Sequence, residues 1–229
     1  MSFKGNGNSA GPGGHRGRFI VIEGIDGCGK TTQLKLLKKR IASAGGYAFI
    51  TSEPTGKASH TPTAAGSLLA SVLKGNTKMS DSAIAALFLS DRVLHNTDSR
   101  FGIRRLLESG ADVLCSRYYY SSLVYQGTPE LFDWVLHANL GCPDILRPDL
   151  CVFLDLDPDT SSNRIARRHR AAEIYEQSAE MLREAREKYI RVFEKVREAD
   201  PSQNIVLINA CRTPDEIADE IFSLLPSAL

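Results

Sequence analysis

An unbroken apolar run, Phe19-Ile20-Val21-Ile22, leads through Glu23 into Gly24-Ile25-Asp26-Gly27-Cys28-Gly29-Lys30-Thr31. Four consecutive apolar residues ending at a glycine suit a strand buried on both faces, as in the interior of a parallel sheet. The glycines let the backbone turn sharply and aim its N–H groups at one point. Apolar residues then recur at Leu34, Leu36, Leu37 and Ile41, before Gly45-Gly46 closes what reads as a helix. A strand, a glycine loop and a helix in that order restrict the chain to an α/β architecture.

The remaining punctuation agrees. Residues 47–51, 112–115, 150–154 and 205–208 read as four further short strands, and 63–74, 81–109, 159–168, 174–198 and 214–225 as helical stretches. The 174–198 helix carries the stripe Leu182, Ala185, Tyr189, Val192 and Val196 at spacings of three and four. Thr213 is a candidate N-cap for the last helix. Strands alternating with helices predict a three-layer fold, a five-stranded parallel sheet with helices on both faces. Ligands of such sheets sit at the carboxyl ends of the strands. Residues 1–17, rich in Gly, Asn and Ser, read as a flexible tail, and 18–229 as one domain.

Composition excludes several classes of function. A formal net charge of +1 gives no broad basic field, so nucleic acid is not an expected partner. No apolar run reaches the length of a membrane span, and the first residues lack the apolar core of a secretory signal. The five cysteines (28, 115, 142, 151, 211) are odd in number and form no Cys-x-x-Cys pair. Neither a disulfide framework nor a zinc site is expected, and a reducing, cytoplasmic setting fits best.

Residues 24–31 satisfy G-x-x-x-x-G-K-[ST] in full, between a buried strand and a helix. The loop N–H groups and the helix N-terminus attract phosphate oxygens. Lys30 adds a point charge and the Thr31 hydroxyl is placed to ligand Mg2+. Residues Gly24, Ile25, Asp26, Gly27, Cys28, Gly29, Lys30, Thr31 and Thr32 are thus the expected cradle for the phosphates of a nucleoside triphosphate. This P-loop alone does not name a second substrate. No Asn-Lys-x-Asp guanine reader is present, which weighs against a GTP switch.

Further ordered segments extend the pattern: Glu23-Gly24-Ile25-Asp26, Thr51-Ser52-Glu53-Pro54, Phe88-Leu89-Ser90-Asp91-Arg92, Ser116-Arg117-Tyr118 through Tyr125-Gln126-Gly127, Pro148-Asp149-Leu150 and Leu154-Asp155-Leu156-Asp157-Pro158. With the arginine-rich stretch beyond residue 163, they make the chain resemble the thymidylate kinase family of P-loop nucleoside monophosphate kinases from Arg18 to about Leu225. The resemblance implies transfer of the ATP γ-phosphoryl group to dTMP, and a homodimer. It implies that Arg92 and Arg117 hold the acceptor monophosphate and Phe88 stacks on the base. Tyr125 and Gln126 would lie near base and sugar, Asp26 would face the acceptor, and Glu53 would be the acid of the Glu-Pro turn. Lys30, Arg117, Asp26, Arg164 and Arg168 are then the expected catalytic groups. A short mobile lid would span about 164–174. Some family members place an assisting arginine inside the P-loop; here that position is Gly27, so the lid arginines must supply it. The chain departs from the family pattern at Ser116, where an aspartate usually stands, at Ser52, and at Ile174. A kinase for another nucleoside monophosphate, or a nucleotide-binding protein with weak catalysis, remain the alternatives.

Overall fold

The computed structural model describes residues 15–56, 62–167 and 178–226. The strands are β1 (Phe19–Glu23), β2 (Ala48–Ser52), β3 (Asp112–Ser116), β4 (Leu150–Asp155) and β5 (Ile205–Asn209). The helices are α1 (Lys30–Ser43), α2 (Ala64–Leu73), α3 (Asp81–Thr97), α4 (Ile103–Glu108), α5 (Tyr119–Tyr125), α6 (Phe132–Gly141), α7 (Pro158–Arg167), α8 (Ala179–Ala199) and α9 (Pro214–Ser223). All strand pairings are parallel, in the order β2-β3-β1-β4-β5. Every residue of β1 is fully buried, as its apolar run requires at the centre of a sheet.

Right-handed crossovers settle the layers. The step from β1 to β2 runs one way along the sheet; those from β2 to β3, β3 to β4 and β4 to β5 run the other. Helix α1 therefore covers one face, where α9 joins it, and α5, α7 and α8 pack together on the opposite face. The expected stripe of α8 is buried throughout, with Phe193 added to it. Thr213 caps α9 in a reciprocal capping box with Glu216.

Three expectations are corrected. The 81–109 helix is two helices: Asp98 Oδ1 accepts the N–H groups of Arg100 and Phe101, turning the chain before Gly102. A Cβ at Gly102 would sit 2.4 Å from the Asp98 carbonyl oxygen, so the turn needs glycine there. Residues 119–141, given no element above, form α5 and α6. Packing begins before Arg18, since Arg16 pairs with Asp149 at 2.9 Å and the Gly17 N–H donates to Leu107 O. The rest of the expected tail, residues 1–14, lies outside the described residues, as do 168–177, which hold Arg168 and most of the expected lid.

Candidate active site

Strand β1 delivers the P-loop, and its neighbours deliver what faces it. In the P-loop, Lys30 Nζ donates to the carbonyls of Gly24 (2.7 Å) and Ile25 (2.9 Å) and lies 3.5 Å from Asp26 Oδ1. Gly24, Gly27 and Gly29 all have positive φ. A Cβ on Gly27 would come within 2.9 Å of Ser161 and 3.1 Å of Ile165, both on α7. Gly27 is thus packed against the helix that bears Arg164. Ser161 Oγ also donates to Asp26 O. Cys28 is a small buried residue whose thiol is pushed up by burial, against the opposing charge of Lys30, so it is not poised as a thiolate.

Beyond β3 stands Arg117, the one non-glycine residue with positive φ (66°) among the described residues. Its NH2 donates to Asp26 Oδ1 at 2.6 Å and its NH1 to Tyr189 OH at 2.9 Å. Its guanidinium also lies 5.3 Å from the centre of the Tyr125 ring.

Arg92 is almost wholly buried. Its Nε donates to Glu53 Oε2 (2.7 Å), NH1 to Asn139 Oδ1 (2.6 Å) and NH2 to Ser122 Oγ (3.0 Å). The other Glu53 oxygen meets His95 Nδ1 at 3.1 Å, and His95 Nε2 meets Thr51 Oγ1 at 2.7 Å. Asp91, beside Arg92, turns away from the cleft and binds Thr55 and Thr63, tying the Glu-Pro turn to the start of α2.

Asp26, Glu53, Phe88, Arg92, Arg117, Tyr125 and Gln126 line one open cleft, together with Pro54 and Leu73. Phe88 packs on the small apolar cluster of Leu69, Val72 and Ile84 and shows its remaining surface to the cleft. Arg164 lies on α7 and makes no ion pair among the described residues. The sequence reading missed Asn139 on α6, Ser121 and Ser122 on α5, Tyr189 on α8 as a site residue, and His95. The quoted segment through Gln126 contains both serines, but nothing in one dimension marks Asn139 or Tyr189.

Among the described residues no group of three or more His, Cys, Asp or Glu side chains could hold a metal ion. Glu23 accepts from Tyr118 N, Ser121 and Tyr189, Glu53 from Arg92 and His95, and Asp155 from Arg186 through two bonds. Carboxylates near the strand ends are therefore already engaged by protein donors. The Thr31 hydroxyl, exposed at the first turn of α1, and the Ser116 hydroxyl at the end of β3 are hard oxygen donors. That set fits a Mg2+ arriving with triphosphate oxygens and its own waters, and does not fit a resident ion caged by protein.

Comparisons with known proteins bear on the family and the fold. The family model for thymidylate kinase matches residues 22–221. A "Probable thymidylate kinase" of Pyrococcus abyssi is 34% identical over 220 residues, covering 93% of this chain and 98% of the relative. One of the same name from Pyrococcus horikoshii is 37% identical over 215 residues, with the same coverage. The solved structure of thymidylate kinase from Candida albicans superposes with a TM-score of 0.71 over 91% of each chain; at 24% identity it bears on the fold. The chain belongs to the thymidylate kinase family and is an enzyme of that family, a nucleoside monophosphate kinase.

Proposed function

We propose that the chain performs its family's reaction, transfer of the ATP γ-phosphoryl group to the 5′-phosphate of thymidine monophosphate, with ATP on the P-loop and the acceptor in the adjoining cleft. The observation that carries this reading is the convergence of Phe88, Arg92, Arg117, Tyr125 and Gln126 on one cleft that opens beside Asp26 of the P-loop. Phe88 stacks on the base, an interaction of roughly 1–3 kcal/mol. Arg92 stands one helical turn from Phe88, so both meet the same end of the ligand. Three of its five N–H donors are taken by Glu53, Asn139 and Ser122. The two that remain suffice for an acceptor on the base that Phe88 stacks. That leaves the acceptor phosphate to Arg117, whose planar fork suits phosphate oxygens and which already reaches Asp26.

The reaction brings two polyanions together, so catalysis is mostly positioning and charge stabilisation. When ATP binds, Lys30 exchanges its carbonyl partners for phosphate oxygens. Asp26 Oδ1 meets both Arg117 NH2 (2.6 Å) and Lys30 Nζ (3.5 Å), and so holds the two cations close to one another. Thr31 would hold Mg2+, whose charge would offset that of the phosphates. Arg164 and Arg168 supply the cationic assistance that Gly27 cannot. The chain works as a homodimer, with the exposed Leu94 on α3 and Phe101 just beyond it offering apolar surface. With free cysteines and no helix among the described residues long and apolar enough to cross a membrane, it suits a reducing cytoplasm.

A steady-state panel of nucleoside monophosphates with ATP and Mg2+ tests the reading. Thymidylate should be preferred over deoxyuridylate by roughly 10-fold or more, the scale of one methyl in a fitted pocket. Preference for deoxyuridylate or cytidylate would overturn it.

A further inference from the structure

Glu23, the last residue of β1, is completely buried, yet four protein donors converge on it. Its Oε1 accepts the N–H of Tyr118 (2.7 Å) and of Ser121 (3.4 Å). Its Oε2 accepts the hydroxyls of Ser121 (2.7 Å) and Tyr189 (3.0 Å). The two backbone donors belong to the residue before α5 and to its first turn, where no side chain of the helix's own N-cap serves them. A carboxylate from another element thus does the work of a cap. Arg117 sits immediately before that turn in a left-handed conformation that L-residues rarely hold without outside constraint. Its backbone N–H donates to Ile22 O, the residue next to Glu23.

The side chain is tied to the same carboxylate through Tyr189 at 2.9 Å and, by a longer bond of 3.3 Å, through Ser121 Oγ. Arg117 has only donors, so its NH1 donates to the Tyr189 oxygen; the Tyr189 hydroxyl proton is then left for Glu23 Oε2 (3.0 Å) or for Ser121 Oγ (2.8 Å), which itself donates to that carboxylate. The hydrogen-bond polarity runs one way, from guanidinium through phenol to carboxylate. The positive charge of Arg117 offsets the burial that pushes the Glu23 carboxyl up.

We propose that Tyr189 is a positioning residue for the acceptor-phosphate site: together with buried Glu23 it holds both the backbone and the guanidinium of Arg117 in the geometry that receives the monophosphate. The proposal rests on the reading of Arg117 as the phosphate grip. Tyr189 lies on α8, 72 positions from Arg117, and is not among the residues that line the cleft.

Tyr189→Phe removes one hydroxyl and keeps the ring in its place between Phe153 and Phe193. The KM for the monophosphate should rise about tenfold, the scale of a lost hydrogen bond to a charged group. The KM for ATP and the thermal midpoint should stay nearly unchanged. In the Arg117→Ala background the same substitution should add nothing, because its effect passes through that guanidinium. Glu23→Gln, which keeps the shape and loses the charge, should shift the monophosphate KM in the same direction. If Arg117→Ala raises the monophosphate KM but Tyr189→Phe does not, the positioning role is wrong and the phosphate grip stands. Equal effects of Tyr189→Phe with and without Arg117 would also overturn it. If Arg117→Ala itself spares that KM, the phosphate grip is wrong and the positioning role falls with it.

Discussion

Replacing Glu53 by alanine is the most demanding test of the site's electrostatics. The carboxylate lies 2.7 Å from Arg92 Nε and 3.1 Å from His95 Nδ1, and the Glu53 and Arg92 side chains are only 2% and 1% exposed. Removing it strands a buried guanidinium, and breaking such a pair from one side destabilises by about 3–5 kcal/mol. Asn139 and Ser122 still accept from Arg92, which places the expected loss at the lower end, about 3 kcal/mol. For a domain of this size the thermal midpoint should fall by about 6–12 °C. Urea unfolding followed by circular dichroism, with a common m-value for both proteins, reads the loss directly. The double variant Glu53→Leu with Arg92→Leu should recover much of the stability, because no charge is left unpaired, while the monophosphate KM stays high. A Glu53→Ala loss below about 1 kcal/mol, the value of an exposed pair, would refute the claim that this pair is desolvated.

Lys30→Ala should lower kcat by about 10²–10³, as for removal of one preorganised charged donor, with an unchanged far-ultraviolet spectrum; retained turnover in a coupled ADP assay would remove Lys30 from the cradle. Gly27→Ala should destabilise by about 1–3 kcal/mol, because φ is +79° and its Cβ meets Ser161 and Ile165; an unchanged melting temperature would mean that the P-loop and α7 are not in contact in solution. Hydrogen bonds from Ser202 and Gln203, and then from Arg147, hold the Asp200 carboxyl well below the usual carboxylate range. A carboxyl whose folded pKa is depressed stabilises above its unfolded pKa of about 4 and loses that contribution as the pH falls toward the folded value. Asp200→Asn should therefore be less stable than the parent at pH 7, and the gap should narrow from pH 4 towards 2; a gap independent of pH would rule out the ionised carboxylate as its source.

The site was partly legible in one dimension, for identifiable reasons. The P-loop is contiguous, so its glycines, Lys30 and Thr31 announce themselves by spacing. Phe88 and Arg92 share a helix turn, and Arg117 follows a recognisable strand. Each of these was found in the P-loop or lining the cleft beside it. Asn139 and Tyr189 were not legible as site residues. Asn139 lies in a segment with weak helical patterning, and Tyr189 counted in the apolar stripe of α8, where its ring does pack and its hydroxyl does something else. The expected single helix over 81–109 failed for a local reason, since an Asp98 side chain that captures two backbone N–H groups looks no different in sequence from one exposed on a helix.

The sequence by itself determined the buried central strand and the P-loop, which short-range spacing carries, and pointed to the family through the resemblance of several ordered segments. Tertiary structure alone decided which carboxylates remain available. Glu23, Glu53 and Asp155 look alike at the ends of their strands, yet each is engaged by donors 31 to 166 positions away. It also decided why residue 27 is glycine, since the space a side chain would need is filled by Ser161 and Ile165 from α7. Hydrogen-bond saturation and excluded volume depend on which elements the fold brings together, and that information is not present in any local stretch of chain.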